Sequence, residues 1–452
     1  MIKFRTDFNC CKTVSCQNFG VIGSSDYIQQ SRRLGYLSTE CTACGSNPPW
    51  INNRLVNSVL KEKFEFQFTR KLTGCPKCYN CFFITEKSDA KRYGFTSAGT
   101  QRKKCSRCHT IFSLPNFKNI DALKLVLSTI VANKAIRASI KSSGLSARLY
   151  YFYLNKLALI LSNFSRLNEE NVIRRKQLAM HSEGRVLHFD HKRGVYTLIT
   201  SEVESGYILL QTNNLTKQHL SDYYIYDETE NTIITTSESS SIENALLSRY
   251  QQNMRRNHFE QLLVGELKPI TKCHLIYPDK LAYIHFQLLT AFTTKADKYD
   301  HYVEHESCLR SAALMASYPE IKKGNAGVYF FLPFPNAGEN LQGKEIGWWK
   351  DRWFSNKFGA YCPIVPEKKG AVDFKRPLGN SVTLFYRYLD QHMNKGVNSM
   401  EVIDNLSEIH RVLFNYCDLK NEKTRANHFA LSDKVYTPES LLDNALKVIM
   451  AG

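Results

Sequence analysis

Two Cys-x-x-Cys pairs, Cys75/Cys78 and Cys105/Cys108, flank a basic and aromatic segment that ends RYGFTSAGTQRKKCSRC. Four thiolates on two tight knuckles are what one tetrahedral Zn²⁺ requires, and the intervening chain can form a short hairpin turned at Gly94 and Gly99. Lys91, Arg92, Arg102, Lys103, Lys104 and Arg107 crowd this ribbon, and no acid lies between Lys91 and Phe112. A metal-stapled hairpin carrying that charge predicts contact with a nucleic acid. A ribbon that only steadies its neighbours is the plainer alternative. Cys81 competes with Cys75 for the first knuckle, and the proline after Cys75 favours the Cys75/Cys78 pair. An earlier set, in NCCKTVSCQNFG and ECTACG, predicts a second zinc site from Cys11, Cys16, Cys41 and Cys44. Cys10 is the rival of Cys11 for the first ligand.

The bulk composition agrees with such a partner. Lysine and arginine number 60 against 42 acids, a formal charge of +18, which points to a polyphosphate before a membrane surface. A hydrophobic share of 43% and 452 residues predict a folded chain of two or three domains. Ten of the 14 cysteines precede residue 109. The opening MIKFRTDFNC does not resemble an export signal, and no long apolar run suggests a membrane span. The expected compartment is therefore cytoplasmic, where clustered thiols mean metal before disulfides.

The elements that must position these residues follow from periodicity. Residues 1–60 hold the first zinc module and 61–118 the ribbon. Residues 119–170 have apolar positions at helical spacing, broken by SSGLS, where Ser146 can cap a second helix. Helix, glycine-containing turn, helix is a helix-turn-helix pattern, with Arg148, Tyr150, Tyr151 and Lys156 on or near the second helix. Residues 167–183 read as a charged connector. From 185 to 324 the pattern is three strands, then helices alternating with strands, including a helix in SIENALLSRYQQNMRRNHFEQLLVG, a strand near Lys272–Tyr277 and the helix LAYIHFQLLTAF. Residues 325–380 read as an irregular insertion, and the tail to residue 452 returns to helix. The fold expected is multidomain α+β: two zinc modules, a helical segment, an α/β domain whose element order is that of ribonuclease H-like folds, and a C-terminal helical extension.

The series of ribbon, helical pair and acid-bearing strand resembles insertion-sequence transposases with a ribonuclease H-like catalytic domain of the DDE type. YGFTSAGTQRKKCSRCHTIFS is similar to that family's ribbon, SGLSARLYYFYLNKL to its DNA-binding helices, and VLHFDHKRGVY to its first catalytic strand. The resemblance implies Mg²⁺-dependent cutting and joining of DNA strands by carboxylates, which suit hard cations. It implies Asp190 as the first acid. For the second it offers Glu304, then Asp279, then Glu306. The third acid, normally in N-x-x-E, is replaced by Thr383 in GNSVTLFYRYL, with Glu345, Glu401 and Glu408 as unranked substitutes. Double-stranded DNA is the implied partner, with several copies assembling on it.

Other constellations are read as structural. His285, His301 and His305 are expected to be packed or solvated, and Trp348, Trp349 and Trp353 to pack within their segment. GxxxxGK[ST] and GxSxG motifs are missing, which argues against a P-loop nucleotidase and gives no support to a serine hydrolase. Two further readings stand beside the transposase-like one: a degenerate relative acting as a zinc-dependent DNA-binding regulator, and a zinc-dependent RNA-binding protein.

Overall fold

The computed structural model describes residues 4–33, 37–70, 72, 75, 90–97, 99–113, 119–189, 194–217, 273–304, 306–333, 354–356, 359–365, 381–393, 397 and 399–451. The N-terminal loops carry an antiparallel pair, β1 (Tyr27–Ser31) and β2 (Ser38–Cys41). They lead into α1 (Asn53–Phe64), whose start is capped by the Asn52 side chain accepting from the Leu55 N–H. The ribbon is a three-stranded antiparallel sheet of β3 (Ala90–Phe95), β4 (Gln101–Cys105) and β5 (Ile111–Ser113).

Three helices follow: α2 (Ile120–Val131), α3 (Ile136–Ser143) and α4 (Ala147–Ile173). Gly144, at φ 65°, closes α3 in the left-handed conformation that glycine adopts most readily. Ser146 then accepts from the Leu149 N–H and caps α4, as the sequence predicts.

The main sheet begins with an antiparallel meander, β6 (Gln177–His188), β7 (Gly194–Glu202) and β8 (Ile208–Asn213). A short pair, β9 (Leu215–Thr216) and β10 (His274–Leu275), leads to α5 (Pro278–Thr293). Then come β11 (Lys298–Val303), α6 (Ser307–Lys323) and β12 (Ala326–Pro333). β11 runs parallel to β6, and β12 parallel to β11. β13 (Phe354–Asn356) and β14 (Gly359–Val365) extend the sheet antiparallel, so its order is β13-β14-β12-β11-β6-β7-β8. Helices α7 (Ser381–His392) and α8 (Met400–Tyr416) follow, and after a short hairpin and a four-residue helical turn (Arg425–His428) α9 (Pro438–Ala451) completes the described chain.

Two expectations are corrected. The supposed connector, 167–183, is the end of α4 followed by the first half of β6. Its polar residues read as solvated because their partners lie far along the chain: Ser182 meets Thr200 at 2.6 Å, and that hydroxyl meets His285 Nε2 at 2.7 Å. The supposed insertion, 325–380, opens with a strand of the main sheet, because AGVYFFLP is a β-rich run long enough to span it. The helix expected from SIENALLSRYQQNMRRNHFEQLLVG lies outside the described residues.

One hydrophobic core runs from Phe8 to Ile449 and joins the N-terminal loops to the sheet's helices. Phe8 packs on Tyr283 of α5 with ring centroids 4.8 Å apart, and Phe19 on Tyr318 of α6 at 5.6 Å. Where α4, α8 and β8 meet, fully buried Arg411 bonds Glu169 at 2.7 Å and Glu408 at 2.6 Å. Arg166 also pairs with Glu169. These buried charges are matched and hydrogen-bonded, the condition under which such a cluster is tolerated.

Candidate functional site

The N-terminal loops gather Cys11, Cys16, Cys41 and Cys44 so that their sulfurs all lie within 4.8 Å of one another. Cys11 and Cys44 are 3.5 Å apart, and Cys16 and Cys41 3.9 Å. A tetrahedron with Zn–S bonds of about 2.3 Å has edges of about 3.8 Å, so the cluster could hold zinc. The knuckle at its back is built by the Cys44 and Gly45 N–H groups donating to the Cys41 carbonyl, with Gly45 at φ 70°. Cys10 points elsewhere: its thiol is buried 3.3 Å from Met315 Sδ and accepts from Arg5. The choice between Cys10 and Cys11 thus falls to Cys11, because Cys10 is part of the core.

In the ribbon, Cys75, Cys105 and Cys108 converge in the same way, with Cys75 and Cys108 sulfurs 3.4 Å apart, and this cluster too could hold zinc. Cys78 and Cys81 lie outside the described residues. Lys91, Arg92 and Arg107 are exposed around the cluster, and Arg102, Lys103 and Lys104 are half-buried along β4. On the helical pair, Arg148 and Tyr151 are exposed at the start of α4, whereas Tyr150 is fully buried and bonds Thr129 at 3.0 Å.

A third constellation sits on the main sheet. Register pairs Val303 of β11 with Ser182 of β6, so Glu304 and Glu183 follow side by side at the end of that pairing. The Glu304 N–H donates to the Ser182 carbonyl at 3.2 Å, and the Gly184 N–H reaches Glu304 Oε2 at 3.3 Å. Glu183 is buried and accepts from Arg185 at 3.2 Å and from Thr383 of α7 at 3.1 Å. His181 Nε2 lies 3.5 Å from Glu183 Oε1. Burial, and then the neighbouring Glu183 charge, push the half-buried Glu304 carboxyl up to about 7. Burial likewise raises Glu306, which has the Glu304 charge beside it. Two carboxyls on adjacent strands, one balanced near neutrality, can exchange a proton or together present oxygens to a cation.

Among the acids expected from the sequence, Glu304 and Glu306 fall in this constellation. Asp190 and Glu345 lie outside the described residues, as do His305 and the three tryptophans of the 325–380 segment. Asp279 opens α5 and pairs with Lys280 at 3.0 Å. Glu401 accepts from Asn155 at 2.6 Å and Glu408 belongs to the Arg411 cluster, so neither joins the carboxylates. His285 is held by Thr200 and Thr212, and His301 is buried beside Phe286. Sequence reasoning missed Glu183. The signal available was the length of β7: a nine-residue strand needs a partner that extends upstream of Val186.

Comparison with protein-family models, with curated proteins and with solved structures finds no significant match. Among the described residues, no helix is long and apolar enough to cross a membrane.

Proposed function

We propose that this chain is a transposase-like DNA-binding protein whose ribonuclease H-like domain cuts and joins DNA strands. The observation that carries the reading is the sheet order. A three-strand meander, followed by β11 and β12 added in parallel on the side of β6, supports it, being the strand order expected of a ribonuclease H-like domain. Glu304 just past β11 lies beside Glu183 within β6. The basic ribbon and the exposed start of α4 would grip DNA through its phosphates. Glu183 and Glu304 are hard oxygen donors, and Mg²⁺ is commonly held by one or two carboxylates with water and substrate phosphate. These two residues would hold such an ion, which supplies charge stabilisation at the phosphate. Thr383 stands where the third acid is expected and holds Glu183 in place.

A second reading is favoured by the contacts of Glu183. Arg185 and Thr383 already occupy its oxygens, the arrangement expected if the domain has retired from chemistry and kept DNA binding. One experiment separates the two. Purified protein is incubated with DNA with and without Mg²⁺. Strand cleavage by wild type that falls at least about 100-fold in both Glu183→Gln and Glu304→Gln supports the enzyme. DNA binding without cleavage supports the regulator, and absence of binding to DNA removes both.

A further inference from the structure

Among the described residues, the ribbon sheet buries little of its own. Of the described residues in β3, β4 and β5 only Cys105 is buried, while Tyr93 is 45% exposed, Phe95 62% and Ile111 44%. Register sets Lys91 opposite Lys104 and Arg92 opposite Lys103. Like charges facing each other across an antiparallel pair are destabilising, and a bound polyanion would relieve the Lys91–Lys104 pair. The aromatic rings are distributed in step with these cations. Tyr93 shares its face with Lys91 and Lys104, whose Nζ lies 5.4 Å from the ring centre. One extra residue in β3, accommodated at Gly94 with φ 71°, then shifts the alternation, placing Phe95 on the opposite face with Arg92 and Lys103.

Rings interleaved with cations at strand spacing suit a ligand that offers flat apolar faces joined by negative links. A DNA strand with unpaired bases has both, whereas a duplex hides its base faces in the stack. We propose that the Tyr93 face of the ribbon sheet binds unpaired DNA, with a base stacking on Tyr93 and phosphates lying along Lys91 and Lys104. This rests on the DNA-binding reading above and adds a preference to it: the ribbon would hold the opened strand and the start of α4 the intact duplex.

The test uses the full-length, zinc-loaded protein and fluorescence anisotropy with a short labelled oligothymidylate and, separately, a labelled mixed-sequence duplex. Tyr93→Ala should weaken oligothymidylate binding by about tenfold and duplex binding by less than about twofold, while Tyr93→Phe and, on the opposite face, Phe95→Ala stay near wild type. Equal losses for both ligands, or loss for neither, would overturn the stacking assignment and leave duplex binding standing. Failure of the wild type to bind either DNA would remove the DNA-binding reading itself.

Discussion

Glu183, Gly184 and Arg185 show how closely the carboxylate site is built. Gly184 is not required by its backbone angles but by its neighbour. A Cβ there would lie 1.7 Å from the Tyr196 hydroxyl of β7 and 2.4 Å from the ring carbon that bears it. Tyr196 is 2% exposed and has little room to withdraw. Gly184→Ala should therefore destabilise the protein by about 1–3 kcal/mol, as overpacking does. It should also disturb the N–H that reaches Glu304. Urea denaturation checks this, and an unchanged midpoint would show that Tyr196 moves aside freely. At the same scale, Arg185 is the residue whose position distinguishes the two functional readings. Its guanidinium lies 5.3 Å from the Tyr386 ring centre and its side chain is 44% exposed, so it is anchored yet reachable by a ligand phosphate.

At the scale of elements, the two cysteine clusters occupy different mechanical positions. The first lies in loops whose Phe8, Cys10 and Phe19 form part of the main core against α5 and α6. Even Gly20, at φ 66°, is confined there, since a Cβ would come within 2.2 Å of the Tyr318 ring. The second closes a small sheet of which, among the described strand residues, only Cys105 is buried. Metal analysis of protein purified without chelator should find about two Zn²⁺ per chain. Cys16→Ser and Cys105→Ser should each remove about one. Only Cys16→Ser should lower the thermal midpoint of the sheet domain, because zinc binding supplies folding energy to loops on which that domain rests. Equal midpoints for the two variants would count against this division. The helical segment is positioned by another distant element: Lys124 of α2 bonds Glu439 and Asp443 of α9, at 3.1 and 3.0 Å, so the C-terminal helix braces the start of that segment.

For the molecule as a whole, the buried histidines predict how stability changes with pH. His285, His301 and His410 sit on α5, β11 and α8, and burial drives each down to about 3. The charge of a neighbouring histidine adds to the shift for His285 and His410. Unfolded, each ring takes up a proton below about 6.5. Between about pH 6.5 and 3 these rings therefore bind more protons in the unfolded chain, and their contribution to stability falls as pH drops, by up to roughly 1.4 kcal/mol per unit for each ring. The raised carboxyls of Glu304 and Glu306 act in the opposite sense and are outnumbered. Unfolding free energies measured at pH 7 and pH 5 should differ in that direction. Equal values would mean that these rings reach solvent or charged partners in the folded state.

Much of this organisation could be read along the chain. The spacing of Cys11, Cys16, Cys41 and Cys44, the Ser146 cap and the helix at Pro278–Thr293 are local properties, set by knuckle geometry, capping and a 3.6-residue period. Glu304 was within reach only through the family resemblance, which expects an acid between a core strand and a helix. Glu183 was not. Its strand is polar where Ser182 and Glu183 find partners more than a dozen residues away in sequence, so local alternation reported a connector. Nor could periodicity show that Phe95 changes face, since the extra residue at Gly94 has meaning only against β4. By itself the sequence determined the cationic ribbon, the metal-ligand spacing and the helices, because these depend on neighbours within a few turns. Which acids stand together was decided only in the folded sheet, where β6 and β11, more than a hundred residues apart in the chain, lie in register.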